Sequence, residues 1–383
     1  MKNKLFLVSP LIALMAISCS NSNSIPKEVK FKVPSLGEEA EFHTELQLKY
    51  INSTDYLTTS GIASGSSEKS APQGVYVSWD IEKKGKDPDS YVLSVFDEEM
   101  EGDVTIIIRE MGIKEKEFYI QNLKLNHHYS FKVGATYTCG NMKCMEVKES
   151  EKYYFTTTSK GPRNLSVENI NNFRDLGGHG IKQGLIYRSA RFSESDGTSL
   201  VTEKARQTIF SLGINTEIDL RRRDENGEIT RSPINTDTQE RVAYYHLPMI
   251  YGGENILTYV GDHSSGHYDN PAEIKNFFEI LADEKNYPIN FHCSIGKDRT
   301  GCMAYLIEAL CGMSEEDIYR DYLFSNFSKI SGICEPKDID DRYGKTIADY
   351  EGDNLQQKTY NYLNNVIGLD KKTLNSVISI LKA

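Results

Sequence analysis

The stretch His292-Cys293-Ser294-Ile295-Gly296-Lys297-Asp298-Arg299-Thr300-Gly301 decides how this chain reads. A cysteine, five intervening residues and an arginine stand between two apolar runs. The first, Pro288-Ile289-Asn290-Phe291, reads as a buried strand. The second, residues 300–310, is apolar at nearly every position, as in a helix buried on all sides, and Gly312 is placed for a left-handed cap. Cys293 therefore falls where a strand ends and a helix begins. Unpaired N–H groups and the positive end of a helix dipole favour a thiolate and a bound dianion there. Gly296 permits a tight turn with close backbone approach. Arg299 offers a planar, two-pronged donor matched to phosphate oxygens.

Outward from this loop, Ile214, Thr216, Ile218 and Leu220 alternate as a strand. Asn270-Pro271-Ala272-Glu273 reads as a helix start with Asn270 as the cap, and Ile274, Phe277, Phe278 and Leu281 form its core stripe. Strands alternating with helices predict an α/β domain, a mostly parallel central sheet flanked by helices. Cys293 then sits at a strand's carboxyl end, where such sheets place ligands. The glycine-rich segment 251–268 has no clear period and reads as a loop over the pocket.

The loop resembles the active-site loop of cysteine-based protein tyrosine phosphatases. Its Gly296-Lys297-Asp298-Arg299-Thr300-Gly301 portion resembles the bacterial and fungal tyrosine/dual-specificity branch, some of whose members also hydrolyse phosphoinositides. Asn172-Phe173-Arg174-Asp175-Leu176-Gly177-Gly178, Ile186-Tyr187-Arg188-Ser189-Ala190 and Asp219-Leu220-Arg221 with Glu225 resemble the branch's upstream motifs. Tyr360-Asn361-Tyr362-Leu363 and Ile367-Gly368-Leu369 resemble its closing helices.

The resemblance implies an enzyme, a phosphoric monoester hydrolase, in which Cys293 attacks phosphorus and becomes a phosphocysteine. Arg299 and the loop residues Ser294, Ile295, Gly296 and Lys297 hold the phosphate. Lys297 adds a cation at the phosphate or at a neighbouring negative group. The Thr300 hydroxyl donates to the leaving sulfur, and His292 orients the loop from beneath. Asp298 is implied as the general acid; Asp262, upstream where other tyrosine phosphatases carry theirs on a mobile loop, is the alternative. Arg174, Asp175, Arg188, Asp219 and Arg221 are candidates for support. Either Arg188 or Arg221 lines the pocket, or buried Arg–Asp pairs brace the loop. No cofactor or metal is called for.

Relatives acting on inositol lipids often carry lysine directly after the cysteine, where this chain has Ser294. That leans toward phosphotyrosine, dual-specificity protein and small aryl phosphate substrates, with a phosphoinositide or inositol-polyphosphate phosphatase as the alternative. A reading from another class is a surface adhesion or carbohydrate-binding protein with an inactive phosphatase scaffold. The joint presence of Cys293, Asp298, Arg299 and Thr300 speaks against it.

The N-terminal half says where this chemistry would act. Residues 1–18 carry Lys2, Lys4 and an apolar run from Leu5 to Ile17, too short to span a bilayer comfortably. Ala16-Ile17-Ser18-Cys19 resembles a bacterial lipoprotein cleavage box, with Ala16 in place of the usual leucine. It implies a lipidated Cys19 and an exported protein held on the periplasmic or cell-surface side of a bacterial membrane; a simple secretory signal is the alternative. Residues 19–24 read as a tether.

Residues 25–158 carry β-rich runs such as Val75-Tyr76-Val77-Ser78-Trp79 and Tyr91-Val92-Leu93-Ser94-Val95, which predict an all-β sandwich. Trp79 and Leu123-Lys124-Leu125-Asn126-His127-His128-Tyr129 resemble a fibronectin type III module; its partner is not specified. Residues 25–70 are open to adding strands to it. The phosphatase-like domain then takes 159–383. Cys139 and Cys144 flank a hairpin-like Gly140-Asn141, where an oxidising compartment favours a disulfide. Cys302 and Cys311 face opposite sides of one helix and read as core, and Cys334 has no evident partner. A net charge of −11 argues against nucleic-acid binding and requires local positive charge to hold an anionic substrate.

Overall fold

The computed structural model describes residues 25–57, 72–101, 106–138, 145–251, 256–258, 260–263 and 266–383. Cys19 and the Cys139/Cys144 pair lie outside these residues. Among the described residues, no helix is long and apolar enough to cross a membrane.

The chain forms two compact units that interleave along the sequence. One takes the described residues up to Ser35, Val77–Phe118 and Tyr129–Tyr154. Strands dominate it: Ser90–Asp97 is central, paired antiparallel with Ile106–Ile113 and with His128–Thr138, and Met145–Glu149 adds to the latter. Val29–Lys32 pairs antiparallel with Asp80–Lys83. Trp79 and Tyr129 are buried.

The second unit takes Leu36–Tyr76, Tyr119–His128 and Phe155–Ala383. Part of the 25–70 segment, which the sequence left open to strands, is therefore helical and belongs here. Thr44 and Gln47 form a reciprocal capping box that starts α1 (Glu45–Ile51). Tyr50 from α1 enters the core, and its carbonyl accepts from Arg320 Nη1 at 3.0 Å.

The sheet of this unit contains β1 (Arg163–Asn164), β2 (Arg174–Asp175), β3 (Ile186–Ser189), β4 (Thr216–Asp219), β5 (Ala243–His246) and β6 (Ile289–His292). Its order is β1-β2-β3-β6-β4-β5. The first two pairings are antiparallel and the other three parallel. Strands β3, β4 and β6 are buried at every position, as strands covered on both faces must be. Placing β6 between β3 and β4 brings the residue after His292 to the middle of the sheet's carboxyl edge.

Three helices bear on the site: α2 (Asn270–Leu281), α3 (Asp298–Cys311) and α4 (Glu315–Phe324). Helix α3 is buried from Arg299 to Cys311 and ends at Gly312, φ +81°, as its sequence predicts. Cys302 and Cys311 are free and buried within it. Two expectations change. Asn270 is the first residue of α2 rather than its cap; Asp269 caps it, accepting from Ala272 N–H. Buried Asn270 instead pairs with both the N–H and C=O of Ile250 at 2.9 Å and donates to Ile256 C=O at 2.7 Å, because a buried amide must satisfy its own donors and acceptor. Part of the glycine-rich 251–268 segment is regular: Val260–His263 pairs antiparallel with Gly266–Asp269. Asp262 lies on this hairpin.

Candidate active site

In the parallel register His292 stands opposite Ser189 of β3 and Asp219 of β4. Its ring is fully buried against Phe192, with Nε2 2.9 Å from Glu217 Oε1 and Nδ1 3.4 Å from the Cys293 carbonyl. His292 thus lies under the loop, tied to the next strand. Cys293 follows, buried, and the chain turns through Gly296 at φ +71° into α3. A Cβ at Gly296 would sit 2.6 Å from the Ser189 carbonyl oxygen, so the turn needs glycine both for its conformation and for its closeness to β3.

The loop's carbonyls are held outward. Asn172 Nδ2 donates to Ile295 C=O at 3.2 Å and to Gly296 C=O at 3.1 Å. Arg188 Nη2 donates to Gly296 C=O at 2.8 Å, and Arg191 donates through its N–H and Nη1 to Ser294 C=O. In a planar trans peptide the N–H points opposite to the C=O. Turning the carbonyls of 294–296 outward therefore turns the N–H groups of Ile295, Gly296 and Lys297 inward. These have no acceptor among the described residues. The result is a concave set of donors beside Cys293, the arrangement that binds oxyanions.

Arg299 completes it. The guanidinium is buried, and its Nη1 and Nη2 donate to Glu225 Oε2 at 2.6 Å and Oε1 at 3.3 Å. Nη1 also reaches Met249 C=O at 3.2 Å, and Nη2 reaches Ser294 Oγ at 3.4 Å. Nε has no partner, and the buried Thr300 hydroxyl has none either. A buried donor left unpaired is costly, so each is available for a further hydrogen bond. Burial alone would raise the Glu225 carboxyl; Arg299 and the Arg222 N–H more than offset it and hold the group below the usual carboxylate range.

The candidate support residues sort by what they touch. Arg188 and Arg174 both pair with Asp321 of α4, at 2.5 Å and 2.6 Å, and Arg174 also bonds Asn172. They brace the loop from behind. Arg221 is locked to Asp219 and to Ser193 and does not line the pocket. Asp175 pairs with Arg163 of β1 and accepts from Gly177 and Gly184 N–H, holding the β2–β3 turn rather than the loop. Lys297 meets a neighbouring negative group: its Nζ donates to Ile333 C=O at 2.8 Å and lies 3.6 Å from Asp338. Asp298 Oδ1 accepts from Arg342 Nη1 at 3.2 Å.

Sequence reasoning did not single out Asn172, Glu225, Asp321 or Glu308 for these roles. Glu308 of α3 is buried and hydrogen-bonded to Asp321. Burial pushes its carboxyl well above the ordinary range, and the Asp321 charge adds to that. Asn172 and Glu225 lie inside quoted motifs, which is the signal that could have found them. Asp321 and Glu308 carry no local signal. Among the described residues, no cluster of ligands suits a metal ion.

Residues 165–383 match the model of the tyrosine phosphatase family. A Cupriavidus necator protein described as a tyrosine-protein phosphatase is 26% identical over 187 residues, covering 44% of this chain and 64% of its own. A Nostoc commune tyrosine-protein phosphatase is 29% identical over 152 residues, covering 37% of this chain and 49% of its own. The match thus spans about half to two-thirds of these relatives' lengths. Among solved structures, the Siw14 catalytic core aligns over 54% of this chain and 99% of its own, with 20% identity and a TM-score of 0.32. With the family model spanning more than half of the sequence and the loop built as above, this chain belongs to the tyrosine phosphatase family.

Proposed function

We propose that this chain hydrolyses phosphate monoesters through a phosphocysteine, with phosphotyrosine or dual-specificity protein substrates as the class it serves. The observation that carries the reading is the outward anchoring of the loop carbonyls, which turns three N–H groups inward beside Cys293 and leaves Arg299 Nε without a partner. Charge on a transferring phosphoryl group spreads over its equatorial oxygens, and preorganised donors at that point stabilise it.

The Cys293 thiolate attacks phosphorus. The ester oxygen leaves with a proton from Asp298, giving a free alcohol or phenol and a phosphocysteine. Water then attacks phosphorus and gives its proton to the Asp298 carboxylate, and the Cys293 sulfur leaves while Thr300 Oγ1 donates a hydrogen bond to it. Ser294 after the cysteine, and Lys297 spent on Ile333 and Asp338, favour aryl and protein phosphates over multiply phosphorylated inositols.

The reading extends to the rest of the chain. The β-rich region is a fibronectin type III-like sandwich ahead of the phosphatase domain. Residues 1–18 are a lipoprotein signal, and Cys19 carries the lipid that tethers the exported protein. Membrane fractionation of wild type and Cys19→Ala tests this last part; equal release into the soluble fraction would remove it.

For the chemistry, wild type and Cys293→Ser are compared for phosphate release from an aryl phosphate, and Cys293 is examined for bound phosphate after rapid quenching. Release by wild type alone supports the reading, and equal rates would end it. A panel of phosphotyrosine peptides, phosphoserine peptides and inositol phosphates then tests the substrate class; fastest turnover of an inositol phosphate would replace it.

A further inference from the structure

Two consecutive loop residues, Lys297 and Asp298, are gripped by one segment, 333–343. Its last turn, Ile339–Tyr343, is π-helical, a form that recurs at functional sites. The Arg342 guanidinium lies between two carboxylates: Nη1 is 3.2 Å from Asp298 Oδ1 and Nη2 is 3.7 Å from Asp338 Oδ1. Asp338 Oδ2 lies 3.6 Å from Lys297 Nζ and accepts from Glu335 N–H at 3.0 Å. The four charges close a chain from Asp298 through Arg342 and Asp338 to Lys297, the residue next to where it began. The π turn is fixed from below, where the buried Tyr343 ring packs 5.1 Å from Tyr305 and 6.4 Å from Tyr322. Asp298 Oδ2 has no partner among the described residues, and the side chain is only 13% exposed.

We propose that Arg342 is a positioning residue for proton transfer, fixing Asp298 through Oδ1 so that Oδ2 carries the proton to the leaving oxygen. The proposal rests on Asp298 being the general acid. As Oδ2 gives up its proton, Asp298 becomes a carboxylate, and the charge appears where Arg342 already donates. Asp338 keeps the guanidinium in place and Lys297 balances Asp338. The π turn therefore stabilises the product side of the proton transfer without touching the phosphate.

The test compares phenyl phosphate, a poor leaving group that needs the acid, with para-nitrophenyl phosphate, a good one that does not. Arg342→Met should lower kcat/KM on phenyl phosphate by about 10-fold or more, part of the ~10²–10⁴-fold span of general acid catalysis. On para-nitrophenyl phosphate kcat/KM should change little, because kcat/KM reports leaving-group departure and not the later hydrolysis of the phosphocysteine that both esters share. Arg342→Lys should recover part of the loss. Arg342 itself is 39% exposed, which screens its ion pairs, so thermal unfolding of both variants should fall by only a few degrees and both should remain folded at the assay temperature. Asp298→Asn separates the two layers of the argument. If it shows the leaving-group-dependent loss while Arg342→Met loses equally on both esters, or on neither, the positioning role is overturned and the acid stands. If Asp298→Asn shows no such dependence, the acid assignment falls and the role of Arg342 falls with it.

Discussion

Replacing Asp321 by Asn probes the brace behind the loop. The substitution keeps shape and removes one charge. In the wild type that carboxylate accepts from Arg174 Nε at 2.6 Å and from Arg188 Nη1 at 2.5 Å, and all three side chains are at most 6% exposed. Breaking a buried pair while leaving the partner charge in place costs about 3–5 kcal/mol, and here two guanidiniums lose their counterion. The neighbouring carboxyl that can take its place is Glu308, whose ionisation burial and the Asp321 charge both disfavour in the wild type.

Once Asp321 is neutral, Glu308 faces two arginines with no competing carboxylate, so its own ionisation becomes favourable and recovers part of the loss. The single variant should therefore lose ~3 kcal/mol or somewhat less, and the double variant Asp321→Asn/Glu308→Gln the full ~3–5 kcal/mol. At about 2–4 °C per kcal/mol for a domain of this size, thermal unfolding should fall by roughly 6–12 °C and 6–20 °C respectively. Turnover should fall too, by ~10-fold or more, because Arg188 also holds the Gly296 carbonyl and small misplacements of a reacting group are expensive. Differential scanning fluorimetry with kcat on an aryl phosphate checks both. Unchanged unfolding and unchanged kcat for Asp321→Asn would refute the brace, and a double variant no less stable than the single would refute the rescue by Glu308.

Other outcomes follow from the same contacts. Gly296→Ala forces a side chain into a left-handed conformation and a Cβ to 2.6 Å from the Ser189 carbonyl, so it should cost about 2–5 kcal/mol and abolish turnover, read by unfolding and by rate. Glu225→Gln removes the charge that fixes Arg299; kcat/KM should fall by ~10²-fold and affinity for inorganic phosphate should weaken in a direct binding assay. Glu273 of α2 is pushed up to about 7 by burial, so the folded state holds a proton that the unfolded state has lost between about pH 4.5 and 7. Stability should decline as pH rises across that window, and Glu273→Gln should flatten the decline in urea unfolding.

How much of this was legible from the residues depends on distance along the chain. The strand, the turn and the buried helix around Cys293 are local patterns: an apolar run, a glycine at a left-handed turn, a second apolar run with its own glycine cap. Arg299 follows Cys293 at a spacing that one turn fixes. The asparagine of Asn270-Pro271 misled because a cap and a buried amide use the same residue type, and only the packing of Ile250 and Ile256 decides between them. Lys297 had two places open to it, and only the packing picks between them: its flexible ammonium takes the nearest oxygens, those of Ile333 and Asp338.

The sequence by itself determined the place of the candidate nucleophile, the arginine, the donor-rich turn and the sheet position that carries them, since each follows from neighbours within one strand–loop–helix unit. Only the tertiary structure decided what makes that loop a cradle. Asn172 and Arg188 turn its carbonyls away, Glu225 aims Arg299, and Asp321 balances Arg174 and Arg188, each contact joining segments far apart in sequence. The physical reason is that a buried charge must find its partner wherever the fold brings one, and pairing across a sheet leaves no periodicity in the chain for a reader to find.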